Sequence, residues 1–174
     1  EWPRNWWLGV TAENQRYAAE RIPALLRTPA PLHFVSFEPL LSEINLRHVV
    51  PHQFAPDRCR YFDNVDTLTV ADKDYPARRI GWAIVGGESG ARNKARPCDV
   101  AWIRSLVQQH QAASLPVFVK QMGSNPHGLD YIPYRKNGTH RGGLLNKKGA
   151  DPSEWPADLR VQEFPVPPAM KVRA

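Results

Sequence analysis

The sequence has no apolar run near the roughly 18 residues that a membrane-spanning helix needs. Its first residues, EWPRNWW, lack the charged and apolar regions of a secretory leader. These two absences predict a soluble, cytoplasmic protein with no membrane partner. Cysteine is scarce too. Cys59 and Cys98 are the only two, and neither has a partner at metal-ligand spacing, so no metal centre is expected and, with no sign of export, no disulfide. Acidic residues are in deficit, 17 Asp and Glu against 23 Lys and Arg, for a formal net charge of +6. A positive balance favours polyanions in general, but the basic residues are spread along the chain, and a solvated surface accounts for them without nucleic acid. At 174 residues the chain is long enough for one domain with a sizeable core and short for two.

What the chain does have is a repeated grammar of short apolar run, polar residues, then helix or connection. WWLGVTAEN carries Leu8, Gly9 and Val10 into Thr11, Glu13 and Asn14. A helix with Tyr17, Arg21, Ile22, Leu25 and Leu26 on one face should follow, with Pro23 restarting it as a second short turn. LHFVSFEPLL gives a strand ending at Glu38 and Pro39. GWAIVGGESGARNKARP runs Trp82 to Val85 into Gly86, Gly87, Glu88 and Ser89, and Asp99 is placed to cap a helix carrying Ile103, Leu106, Val107 and His110. LPVFVKQMG gives a strand of Val117 to Val119 ending at Lys120, Gln121 and Gly123.

Strands alternating with helices at this spacing predict an α/β fold with a parallel sheet. Ligands of such sheets sit at the carboxyl ends of the strands, which is where each unit keeps its polar side chains: Thr11 and Glu13, Glu38, Glu88 and Ser89, Lys120 and Gln121. Strand ends also become polar merely because chains reach solvent and helices need caps, so both readings stand at this point. Glycines after a buried strand admit a close main-chain approach or an anion. The division expected is two strand units in 1–47, an insertion over 48–80, two more units in 81–128, and an irregular tail over 129–174. RCRYF and TLTV in the insertion read as a small hairpin. His48 and His52 read as ordinary loop residues, with no third ligand nearby.

WLGVTAENQRYAAERIPALLRTPAPLHFVSFEPLL, WAIVGGESGARNKARP, VFVKQMG and DPSEWPADLRVQEFP together resemble the phage Gp thirty-seven/sixty-eight family, in the same order and over most of the chain. Members of that family look like radical S-adenosylmethionine proteins, whose parallel (βα) barrel carries a cysteine cluster after its first strand. Only the second half is matched here, so the resemblance implies about half of a TIM-type barrel, with a hairpin insertion. It implies S-adenosylmethionine and an iron-sulfur cluster as cofactors, although the cluster's cysteines are absent from this chain. By the same resemblance Gly86, Gly87, Glu88, Ser89, Glu13 and Glu38 would face the cofactor, and Thr11, Lys120, Gln121 and Arg92 a small or nucleotide-derived substrate. Lys94 and Arg96 join Arg92 as phosphate contacts or solvated charges. Two functions follow as expectations: an enzyme wall lacking its cluster half, or a module that binds a phosphate-bearing ligand or nucleic acid without chemistry. Trp2, Trp6 and Trp7 would pack against the missing half, and without it the open sheet should self-associate.

Overall fold

A computed structural model describes residues 3, 5–49, 66–68, 79–91, 94–129 and 144–166. The four apolar runs form strands β1 (Leu8–Thr11), β2 (His33–Phe37), β3 (Ile80–Gly86) and β5 (Val117–Gln121). They lie side by side in the order β1-β2-β3-β5, every pair parallel. The expected α/β class is therefore present, and because successive strands step in one direction, right-handed crossovers put the connecting helices on one face.

Helix α1 spans Gln15–Arg27 and α2 spans Val100–Ala112. Asn14 starts α1 by accepting the Tyr17 N–H at 3.0 Å, and Asp99 starts α2 by accepting the Ala101 N–H at 2.8 Å, each satisfying a donor that the first helical turn leaves free. Both helices pack onto one core with Val35, Phe37, Ala83, Val85, Val117 and Val119. The expected face of α2, from Ile103 to His110, is buried. In α1 the expectation at Pro23 is corrected: the helix runs through it without restarting, and Pro23 is buried among Ala18, Ile22, Leu25 and Leu26. A proline removes one helical hydrogen bond, and here its ring lies on the apolar face that docks to the core.

The other face of the sheet carries Phe34, Ser36, Ile84 and Phe118, all half-buried. Its lower part is aromatic: Trp82 meets Trp7 at 6.0 Å, Phe34 at 5.8 Å and Phe164 at 5.4 Å, and Phe118 meets Phe164 at 5.1 Å. Trp7 thus packs within the chain itself.

A two-residue strand β4 (Cys98–Asp99) pairs in parallel with β6 (Pro126–His127) just before α2. The described part of the tail, 144–166, is irregular as expected yet firmly packed. It has two 3-10 turns, Pro152–Glu154 and Ala157–Leu159, and buries Leu144, Trp155 and Leu159. Trp155 Nε1 donates to the Gly149 carbonyl at 2.9 Å, and Arg104 pairs with Asp158 at 2.6 Å. Residues 161–163 then lie antiparallel beside β5. Of the predicted hairpin only Thr67 and Leu68 are described, buried in a turn; its remainder, with His52, Cys59, Trp2 and Arg92, lies outside the described residues.

Candidate functional site

In a parallel sheet all carboxyl ends point the same way, so the residues that follow β1, β2, β3 and β5 share one end of the molecule. Glu13, Glu38, Glu88 and Lys120 therefore stand together at one rim. Main chain ties the rim: Leu41 N–H donates to the Glu13 carbonyl at 2.8 Å and Leu40 N–H to the Gly86 carbonyl at 2.9 Å. The peptide bond between Glu38 and Pro39 is cis.

Glu38 is the most enclosed acid of this rim, its side chain 17% exposed. One oxygen accepts from Lys120 Nζ at 2.9 Å and the other from Gln121 Nε2 at 2.8 Å. Both donors come from β5, so the contacts cross over β3, which lies between the two strands. The residue crossed is Gly86: a Cβ there would stand 3.2 Å from Gln121 Cγ, and the missing side chain is what lets Gln121 reach over. Gln121 is itself buried, and its amide also donates to the Gly87 carbonyl at 2.9 Å.

The other two acids have cations of their own. Arg21 of α1 reaches back to Glu13 at 3.3 Å and to the Thr11 hydroxyl and carbonyl at 3.0 Å, with its guanidinium 4.3 Å over the Tyr17 ring. Glu88 takes the Arg96 backbone N–H at 2.9 Å and its Nε at 2.8 Å. These bonds to Arg96 hold the Glu88 carboxyl below its usual range, and the Arg96 guanidinium is pushed up by the same pairing, with the charge of Glu13 adding to it. The rim is thus a belt of three carboxylates, each with a cation.

The glycines expected to cradle a ligand pack closely against neighbouring main chain. A Cβ on Gly87 would collide with the Met122 carbonyl, one on Gly123 would sit 2.9 Å from Gly87 Cα, and one on Gly149 would press on the Gly123 carbonyl at 2.5 Å. Gly87 N–H donates to the Gln121 carbonyl at 3.1 Å and Met122 N–H to the Gly149 carbonyl at 2.8 Å. Three stretches of main chain stack here, and the glycines make the room. Ser89, expected to support the turn, is exposed. That part falls to buried Ser124, whose hydroxyl accepts the Gly90 N–H at 3.0 Å.

Sequence reasoning found the rim acids and missed the ion-pair role of Arg21 and Arg96. The available signal was spacing: each arginine follows its glutamate by eight residues, Arg21 from within α1 and Arg96 from the connection between β3 and α2. Lys94 is exposed.

Neither proposed cofactor is supplied with a complete set of partners. Cluster ligation needs thiolates, and Cys98 is a single buried thiol pushed up to about 12, by burial first and then by the Asp99 charge. The described residues therefore do not fit an iron-sulfur cluster, and among them no three His, Cys, Asp or Glu gather as metal ligands. The donor set of Glu13 and Glu38 does suit the hydroxyls and ammonium of a nucleoside bearing an amino acid. Two surface cavities, of about 360 and 450 Å³, lie at the opposite, amino end around Ser114, Leu115 and Pro116. They bring together few polar groups.

Fold and rim define an α/β protein whose parallel sheet carries a rim of paired charges at its carboxyl edge. Residues 1–151 match the family described as "Protein of unknown function (DUF5131)", and the chain belongs to that family. No curated protein and no solved structure matches it. No helix among the described residues is long and apolar enough to cross a membrane.

Proposed function

We propose that the carboxyl-end mouth binds a small polar molecule, and that the chain forms the cofactor and substrate wall of a radical S-adenosylmethionine-like phage protein built on a (βα) barrel. The observation that carries this reading is Glu38, a largely enclosed carboxylate whose two oxygens are each oriented by a donor from β5. A surface cap does not need such an arrangement, whereas a group that must meet a ligand in one geometry does. Glu13 and Glu38 accept hydroxyl or ammonium groups in this reading, Thr11 and Lys120 complete the polar lining, and Gln121 acts through Glu38. Electron delivery falls to residues outside those described, and no redox step is assigned to this chain.

The alternative, a module for phosphate-bearing ligands or nucleic acid, draws on the net charge of +6. It is weakened where Arg96 is concerned, because that guanidinium is committed to Glu88.

Isothermal titration with S-adenosylmethionine and with S-adenosylhomocysteine tests the first reading. Binding is expected, and Glu38→Gln should weaken it about tenfold or more, the usual cost of losing a charged hydrogen-bond partner. No heat from either ligand, together with duplex DNA binding that falls steeply with salt, would favour the alternative instead.

A further inference from the structure

The sheet has two outer edges, and they differ. That of β5 is paired: Val119 N–H donates to the Val161 carbonyl at 2.8 Å and Glu163 N–H to the Val117 carbonyl at 3.0 Å. That of β1 is open. Leu8 N–H and Ala12 N–H point inward to the Leu32 and Ser36 carbonyls at 3.0 and 2.9 Å, so the alternation of a parallel ladder turns the N–H and C=O of Gly9 and Thr11 outward. Arg21 covers the Thr11 carbonyl. Among the described residues nothing meets the Gly9 N–H, the Gly9 carbonyl or the Thr11 N–H.

We propose that, for this chain on its own, a second copy pairs along β1, antiparallel, about a two-fold axis beside Gly9. Directly opposed residues of an antiparallel ladder exchange both hydrogen bonds when their N–H and C=O face each other. A two-fold axis there sets Gly9 against its own copy and satisfies four groups with two bonds. The occupant is a second copy for three reasons. With β5 already paired, a head-to-tail contact of β1 with the β5 edge of a neighbour is closed, which leaves the self-complementary pairing. The strand LGVT has no charged side chain, and Glu13 and Arg21 at its end neutralise each other, so the strand itself carries no charged guard against edge pairing. Lastly, Leu8 and Val10 remain half-buried on the helix side, whereas Val35, Phe37, Ala83 and Val85 on the inner strands are fully buried. A strand laid beside β1 brings cover to that flank and to Trp6, which is 57% exposed.

This inference rests on the sheet alone and concerns the chain as given; strands of a longer barrel laid beside β1 would take the place of the second copy. Sedimentation velocity over a wide concentration range, on the whole chain, tests it with two variants of one residue. Thr11→Pro removes an outward N–H, which an edge strand tolerates; Thr11→Val keeps that N–H and loses only the hydroxyl contact with Arg21. Wild type and Thr11→Val are expected to form a concentration-dependent dimer, and Thr11→Pro to weaken it about tenfold, since the axis counts each lost bond twice. Leu8→Lys, which sets two like charges across the axis, should weaken it as well and serves if Thr11→Pro does not fold. A monomer at every concentration overturns the proposal. So does a dimer that the folded Thr11→Pro or Leu8→Lys chain forms as tightly as wild type.

Discussion

Acid should weaken this protein well before its carboxylates titrate, and the cause is one histidine. His110 lies on the buried face of α2, fully enclosed, with its ring against Phe37 at 6.5 Å. Its Nδ1 is 3.0 Å from the Leu106 carbonyl. A carbonyl can only accept, so the proton sits on Nδ1, and Nε2 is a bare lone pair with no hydrogen-bond partner in the core. Burial pushes its pKa down to about 4, opposed by the bond to Leu106, and no charged group contributes. The unfolded chain, at about 6.5, binds the proton more readily than the folded one. Stability therefore rises with pH across the interval from about 4 to about 6.5 and is lost on acidification through it. The whole gap is worth about 3 kcal/mol, of which about 2 kcal/mol falls between about pH 7 and about pH 5. Glu88 and Asp158, whose carboxyls are held low by Arg96 and Arg104, lose their contribution only below the ordinary carboxylate range. Urea unfolding followed by tryptophan fluorescence, on wild type and His110→Leu, reads the effect directly. At neutral pH the variant should be as stable as wild type or about 1 kcal/mol more so, because it removes an unsatisfied buried acceptor. At about pH 5 its advantage should grow by about 2 kcal/mol. Parallel stability curves for the two proteins across that interval would refute the reasoning.

Gly87→Ala should cost about 2–3 kcal/mol, because the new Cβ meets the Met122 main chain, while Gly90→Ala, where nothing lies within 4 Å, should change stability little; equal effects in the same unfolding assay would contradict the stacked-glycine account. Cys98, buried with its thiol pushed up to about 12, should resist iodoacetamide in the native protein and react once urea is added, as mass mapping of the modified residue would show. Native labelling at Cys98 would mean that the β4 region opens on its own.

The backbone scheme was legible because the physics behind it is local. Four apolar runs of strand length, each followed by polar residues, gave four parallel strands, and Asp99 capped α2 as its position required. The convergence of Glu13, Glu38, Glu88 and Lys120 followed from the same alternation. Pro23 misled because the burial that outweighs its missing donor depends on how α1 docks. Gly86 and Gly87 stand where the sequence alone cannot say what fills the space a side chain would take, and the packing puts Gln121 and Met122 there. The pairing of VQE at 161–163 with β5 joins residues far apart in the chain, inside a proline-flanked stretch with no strand pattern.

That antiparallel segment limits every larger assembly in which this sheet takes part. A parallel barrel becomes a ring only when its last strand bonds to its first, and the bonding groups of β5 on that side are spent on 161–163. In this arrangement a further parallel strand finds free bonding groups beside β1, and closing a ring at β5 requires residues 161–163 to leave that edge. Beyond 161–163 the chain folds over the face that carries no helix among the described residues, where Phe164 covers Trp82 and Phe118. Lys120, two residues beyond Phe118 and 53% exposed, stands above that cover. Under the proposed reading, a molecule that meets Glu38 and Lys120 does so along the flank beside β5, where the Lys120 side chain is exposed.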